Sequence, residues 1–81
     1  MSHTARLLIK RRMALNVSQR DVASAAKTTT VAVSRWESGN CFIPASRIRL
    51  VGEFLGCTEE LGVAMTRDYQ TKLLRLALER K

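Results

Sequence analysis

The chain predicts an all-α fold, and three observations carry that expectation. Apolar residues recur at three- and four-residue spacings along most of its length. Hydroxyl residues stand just before several of these runs, and Asn16, Gly39 and Gly56 stand just after them. No stretch of useful length alternates as a strand would, apart from the ambiguous TTTVAVS at 28–34. With 81 residues there is room for one small core and no second one.

The first helix is expected over residues 5–15, with Thr4 as N-cap and Asn16, which tolerates a left-handed backbone, as its end. Leu7, Leu8 and Leu15 share its period with Arg11 and Arg12, and Ile9 and Met13 add a second apolar edge. Ser18 predicts the cap of a short second helix at 19–26, with Asp21 in the acidic first-turn place and Val22, Ala23 and Ala26 as a narrow apolar face. Small alanines there let another helix cross closely. Lys27 and Thr28 break the pattern, Thr29 caps a third helix from 30 to 37 or 38, and Gly39 stops it. Within that helix Val33 and Trp36 face inward, while Thr30, Val31, Ser34 and Arg35 lie on another side.

Pro44 suits the first turn of a fourth helix, with Ala45, Ile48, Val51, Gly52 and Leu55 as its buried stripe and Gly56 as its end. Thr58, with Glu59 and Glu60 behind it, opens a short fifth helix through Leu61 and Val63. Thr66 then starts a longer sixth, with Tyr69, Leu73 and Leu76 on one face and Leu74 and Leu78 on the next. The expected layout is a five-helix domain at 1–63 and an additional C-terminal helix at 64–81 that serves oligomerisation.

Charge is unevenly placed. The net charge is +7, from 14 Lys and Arg against 7 Asp and Glu; residues 1–49 hold nine basic and two acidic groups, whereas 50–81 hold five of each. The excess reads as a footprint for a polyanion, although a basic surface serving only solubility would have the same balance. Cys41 and Cys57, with His3 far away, form neither a disulfide framework nor a zinc site, so reduced structural thiols are expected, with no metal and no cofactor. No apolar run approaches the roughly 18 residues of a membrane span, and ARLLIKRRMAL carries charge where a leader needs an apolar centre. A cytoplasmic protein with no membrane partner is expected. Catalysis is not: the only histidine is His3 near the terminus, and the acids show no paired arrangement.

Two short helices joined by a brief turn, the second capped by a hydroxyl, match a helix-turn-helix unit. In LLIKRRMAL, VSQRDVASAAKTTTVAVSRWESG and IPASRIRLVGEFLGC the chain resembles the phage repressor and Cro type of helix-turn-helix domain, the XRE family, over residues 5–62. The spacing from Gln19 through Ala23, Val33 and Glu37 to Gly39 carries the likeness. It departs at Lys27, where the family usually has glycine in a left-handed turn; a lysine there implies strain of about 1 kcal/mol.

The resemblance implies a lambda-repressor-like domain whose third helix enters the major groove of double-stranded DNA. Thr30, Val31, Ser34 and Arg35 then take positions that meet base edges. Arginine suits guanine, and valine suits a thymine methyl. Arg11, Ser18, Gln19, Arg20, Lys27, Thr29, Asn40 and Arg47 would track the phosphate backbone. Arg12 and Glu37 are implied to pair and clamp the first helix to the third, with Trp36 in the core.

Leu50, Phe54, Tyr69, Leu73, Leu74, Leu76 and Leu78 exceed what one small core needs and predict an interface. The expectation is a homodimeric repressor on a two-fold symmetric operator. Two alternatives stay open: a lysogeny-type activator, suggested by SRW followed by FIP, acting as a tetramer in contact with RNA polymerase, and an antitoxin-type module that neutralises a partner protein.

Overall fold

Three of the helices among the described residues start on a hydroxyl side chain that accepts a terminal N–H, and three end on a residue in the left-handed region. A computed structural model describes residues 2–79, and among these it contains five α-helices and no strand. The first, α1 (His3–Leu15), begins on Ser2, whose hydroxyl accepts from the Ala5 N–H at 2.9 Å, and ends on Asn16 at φ 55°. The second, α2 (Gln19–Ala25), carries a reciprocal cap. Ser18 Oγ accepts from the Asp21 N–H at 3.1 Å, and the Asp21 carboxylate accepts from the Ser18 N–H at 2.9 Å. Those bonds to the Ser18 backbone and side chain hold the Asp21 carboxyl below its ordinary pKa.

The third, α3 (Thr30–Ser38), is capped by the Thr29 hydroxyl and closed by Gly39 at φ 81°. The fourth, α4 (Ala45–Leu55), follows Pro44 and ends at Gly56 with φ 66°. The fifth, α5 (Thr58–Glu79), runs unbroken for 22 residues, about 33 Å at 1.5 Å per residue. That length fits the elongated shape of the molecule, 44 × 23 × 21 Å.

Leu8, Val22, Val33, Trp36, Val51, Leu55 and Leu61 form the centre of the core, joined by the buried Ile43 and Cys57. Around it α1 packs on α3, α4 and α5, and α2 packs on α3 and α4. Gly52 sets the α4–α5 corner: a Cβ there would stand 2.9 Å from Thr58 Cα, so only glycine lets α4 lie against the first residue of α5.

Several expectations are corrected. Thr4 is not a cap; it lies buried inside α1, and Ser2 caps two residues earlier. The expected fifth and sixth helices are one. Thr66 donates its hydroxyl to the Gly62 carbonyl at 2.9 Å, which meets its hydrogen-bonding need within a continuous helix, and no described residue between 57 and 79 has a positive φ that would stop it. Pro44 precedes α4, so Ala45 is exposed and Ile43 takes the core place ahead of the helix. Met13 and Leu15 are exposed at the end of α1. No helix among the described residues is long and apolar enough to cross a membrane.

Candidate nucleic-acid interface

The α2–α3 connection is a left-handed turn. Lys27 has φ 55°, its N–H donates to the Ser24 carbonyl at 3.2 Å, and the Thr28 N–H donates to the Ala23 carbonyl at 2.9 Å. This closes α2 in the manner that glycine usually serves, with a side chain bearing the steric cost. Thr29 then caps α3 at once, so the two helices meet through a short corner.

Of the two sides of α3, one is core: Val33 and Trp36 are buried. The other carries Thr30, Val31, Ser34 and Arg35, all exposed, with Val31 at 60%. A half-apolar, half-polar helix would ordinarily present charge outward; an isolated valine among hydroxyls and an arginine is a surface with shape as well as polarity.

Behind that face lies the central ion pair. Arg12 Nε donates to Glu37 Oε2 at 2.9 Å and its Nη2 to Oε1 at 3.1 Å, while Gln19 Nε2 donates to Oε1 at 3.2 Å. Arg12 also donates to the Val17 carbonyl at 3.3 Å. A carboxylate as buried as that of Glu37, 6% exposed, is stable only with its charge answered, and donors from α1 and α2 converge to answer it. The hydrogen bond to Glu37, with its Coulomb attraction, raises the Arg12 pKa against the opposing effect of burial. One buried group thus joins the three helices that orient the exposed side of α3.

The other residues singled out in the sequence are dispersed around this unit. Arg20, Lys27 and Asn40 are exposed, and Ser18 and Thr29 commit their side chains to caps. The Gln19 amide is turned to Glu37. Arg47, half-buried, reaches Ser46 Oγ at 3.4 Å at the start of α4. Arg11 is placed differently from the expected phosphate track: its Nε donates to the Leu55 carbonyl at 2.9 Å, where a cation suits the negative end of α4. Leu50 is half-buried against the core and is not free surface, whereas Phe54, Tyr69, Leu73, Leu74, Leu76 and Leu78 are exposed.

Sequence reasoning missed the junction between α5 and the rest. Asp68 accepts from the N–H groups of His3 at 2.8 Å and Thr4 at 2.9 Å, the first two donors of α1. Burial alone would raise the Asp68 pKa, but hydrogen bonding from Thr4 and His3 outweighs it and keeps the carboxyl below its ordinary value. The buried Thr4 hydroxyl lies close enough to favour that charge without making a well-formed hydrogen bond. Beside it Tyr69 meets Phe42 edge-on, ring centres 6.4 Å apart, and Lys72 Nζ stands 5.2 Å from the centre of the Phe42 ring. No local spacing signals Asp68, because its partners lie 64 and 65 positions away.

The two cysteines differ. Cys57 is buried, and burial pushes its thiol pKa up, with nearby Glu60 adding and Arg11 opposing; Cys41 is exposed in the α3–α4 loop and is not a core thiol. Among the described residues no three His, Cys, Asp or Glu side chains gather to hold a metal ion. No family model matches the chain, and neither a characterised protein nor a solved structure matches it.

Proposed function

We propose that the protein is a sequence-specific double-stranded DNA-binding transcription regulator, a repressor that reads a two-fold symmetric operator as a homodimer. The observation that supports this reading best is the division of α3, which buries Val33 and Trp36 and leaves Thr30, Val31, Ser34 and Arg35 outward beside a left-handed helix corner. The helix lies in the half of the chain that holds nine basic and two acidic groups, so the field around it attracts a polyanion.

Arg35 carries the strongest base contact in this reading, a bidentate pair with guanine, and Val31 meets a thymine methyl. Arg20, Lys27 and Asn40 supply backbone contacts from exposed positions around it. Glu37 stays out of the interface, since Arg12 and Gln19 already neutralise and orient it. The exposed leucines of α5 favour self-association, with recognition helices about 34 Å apart to meet one face of the duplex. The same leucine row supports the tetrameric, polymerase-contacting activator as the second reading. Selection of bound fragments from random duplexes tests the proposal: a paired, inverted motif supports it, and no enrichment contradicts it.

A further inference from the structure

Residues 50–81 carry as many cations as anions, yet two of the cations on α5 make no ion pair among the described residues. Along α5, Glu59 and Glu60 sit in the first turn and Asp68 is bonded to the start of α1, while Lys72 and Arg75 follow on the part that passes the α3–α4 loop. Both line a cleft of about 640 Å³ whose far wall is Ser38, the last residue of α3, and Gly39, Asn40 and Cys41, which follow it. Neither cation is within ion-pair distance of a carboxylate among the described residues. Lys72 is held in place over the Phe42 ring, so its ammonium is positioned, not merely tethered. The one acid in the cleft, Asp68, has both oxygens occupied by N–H donors at the positive end of α1.

We propose that Lys72 and Arg75 are a second phosphate-binding pair, which carries the DNA backbone on past the end of α3 and along the loop at Asn40. The proposal rests on the reading of α3 as the DNA-contacting helix, and deepens it by assigning a nucleic-acid role to the helix otherwise left for self-association. Two cations three residues apart lie on one side of α5, about 5 Å from each other along the axis. That separation suits neighbouring phosphates of one strand, and both charges face the loop that leaves the recognition helix. Such contacts carry no base preference and strengthen binding to every duplex alike.

The test is the salt dependence of duplex binding. For the full chain on a mixed-sequence duplex, the logarithm of the binding constant is measured against the logarithm of salt concentration for wild type, Lys72→Ala/Arg75→Ala, Lys72→Arg and Arg67→Ala. Arg67 lines a separate cleft on the other flank of α5, beside Glu59 and Glu60, and serves as a single-charge control. Each phosphate contact removed lowers the slope by about 0.9, so the double variant is expected to be shallower by about 1–2 and weaker on cognate and unrelated duplexes by the same factor. Lys72→Arg, which keeps the charge and the ring contact, is expected to match wild type, and Arg67→Ala to change the slope by less than half as much. An unchanged slope in the double variant overturns the inference, as does an equal loss in Arg67→Ala. A fall in particle mass by light scattering with no change in slope would also overturn it, assigning the cleft to a protein contact. If wild type binds no duplex at any salt, the reading of α3 itself has failed.

Discussion

Along α5, the first two turns send Leu61 and Ala64 into the core, whereas every residue from Tyr69 to Glu79 is exposed. The first part is held by α1 and α4 and by the close approach at Gly52. The second is held by a few contacts made at Asp68, Tyr69 and Lys72, and beyond these it offers a row of leucines to solvent. One uninterrupted helix therefore serves two purposes: its first half stabilises the fold, and its second is available to something outside it. Cooperative unfolding depends on the first. Under the proposed function the second half serves association, because exposed apolar area of this kind contributes little to the stability of the monomer and is available to an interface.

The largest expected contrast lies between a buried charge and an exposed leucine. Arg12→Ala leaves the Glu37 carboxylate inside the protein without its bidentate partner and is expected to cost about 3–5 kcal/mol in denaturant unfolding. Leu74→Ala, 63% exposed in the wild type, is expected to change monomer stability by less than about 0.5 kcal/mol while lowering the mass measured by light scattering. A destabilisation by Leu74→Ala comparable to that of Arg12→Ala would remove the distinction between the two halves.

Gly52→Ala sharpens the comparison from the core side. Its Cβ would meet Thr58 Cα at 2.9 Å, which forces α4 and α5 apart at their corner, and a loss of about 1–3 kcal/mol is expected from the midpoint of chemical unfolding. A neutral result would mean that the corner yields more easily than helix backbones do.

Asp68 marks the boundary between the halves, and its effect depends on pH. Its pKa is lower in the folded chain than in the unfolded one, so the stability it supplies is present above the unfolded value of about 3.9 and is lost as the pH falls through the lower folded value. Asp68→Asn is therefore expected to cost about 0.5–1 kcal/mol near neutral pH, and the gap from wild type should close in acid below about pH 4. Thermal unfolding of the two proteins at pH 7 and pH 3 measures this; a gap that is constant with pH would contradict the charge-to-helix account. On a similar scale and with the opposite sign, Lys27→Gly relieves the left-handed strain at the α2–α3 corner and is expected to raise stability by up to about 1 kcal/mol in the same measurement.

What could be read from the sequence follows the same division. Helix ends governed by local chemistry were legible, because Asn16, Gly39 and Gly56 adopt the positive φ that their residue types tolerate, and Ser18 and Thr29 cap within three residues of themselves. The inward side of α3 was legible too, since Val33 and Trp36 follow the helical period. Features set by distant contacts were not. Ser2 and Thr4 are both hydroxyl residues near the start of α1, and only the packing that buries Thr4, with Asp68 arriving from the far end of the chain, decides between them. Thr66 looks like a cap in sequence, but its hydroxyl is equally content bonded to the preceding turn, which leaves α5 continuous. Arg11 reads as free charge until the end of α4 is placed beside it.

The most direct measurement of the central claim is the binding of wild type and Arg35→Ala to a selected operator duplex and to an unrelated duplex under identical salt. The account predicts a loss of about 1–3 kcal/mol on the operator, roughly 5- to 150-fold, with little change on the unrelated duplex. Equal losses on both duplexes, or none on either, would contradict the assignment of the exposed side of α3 to base reading.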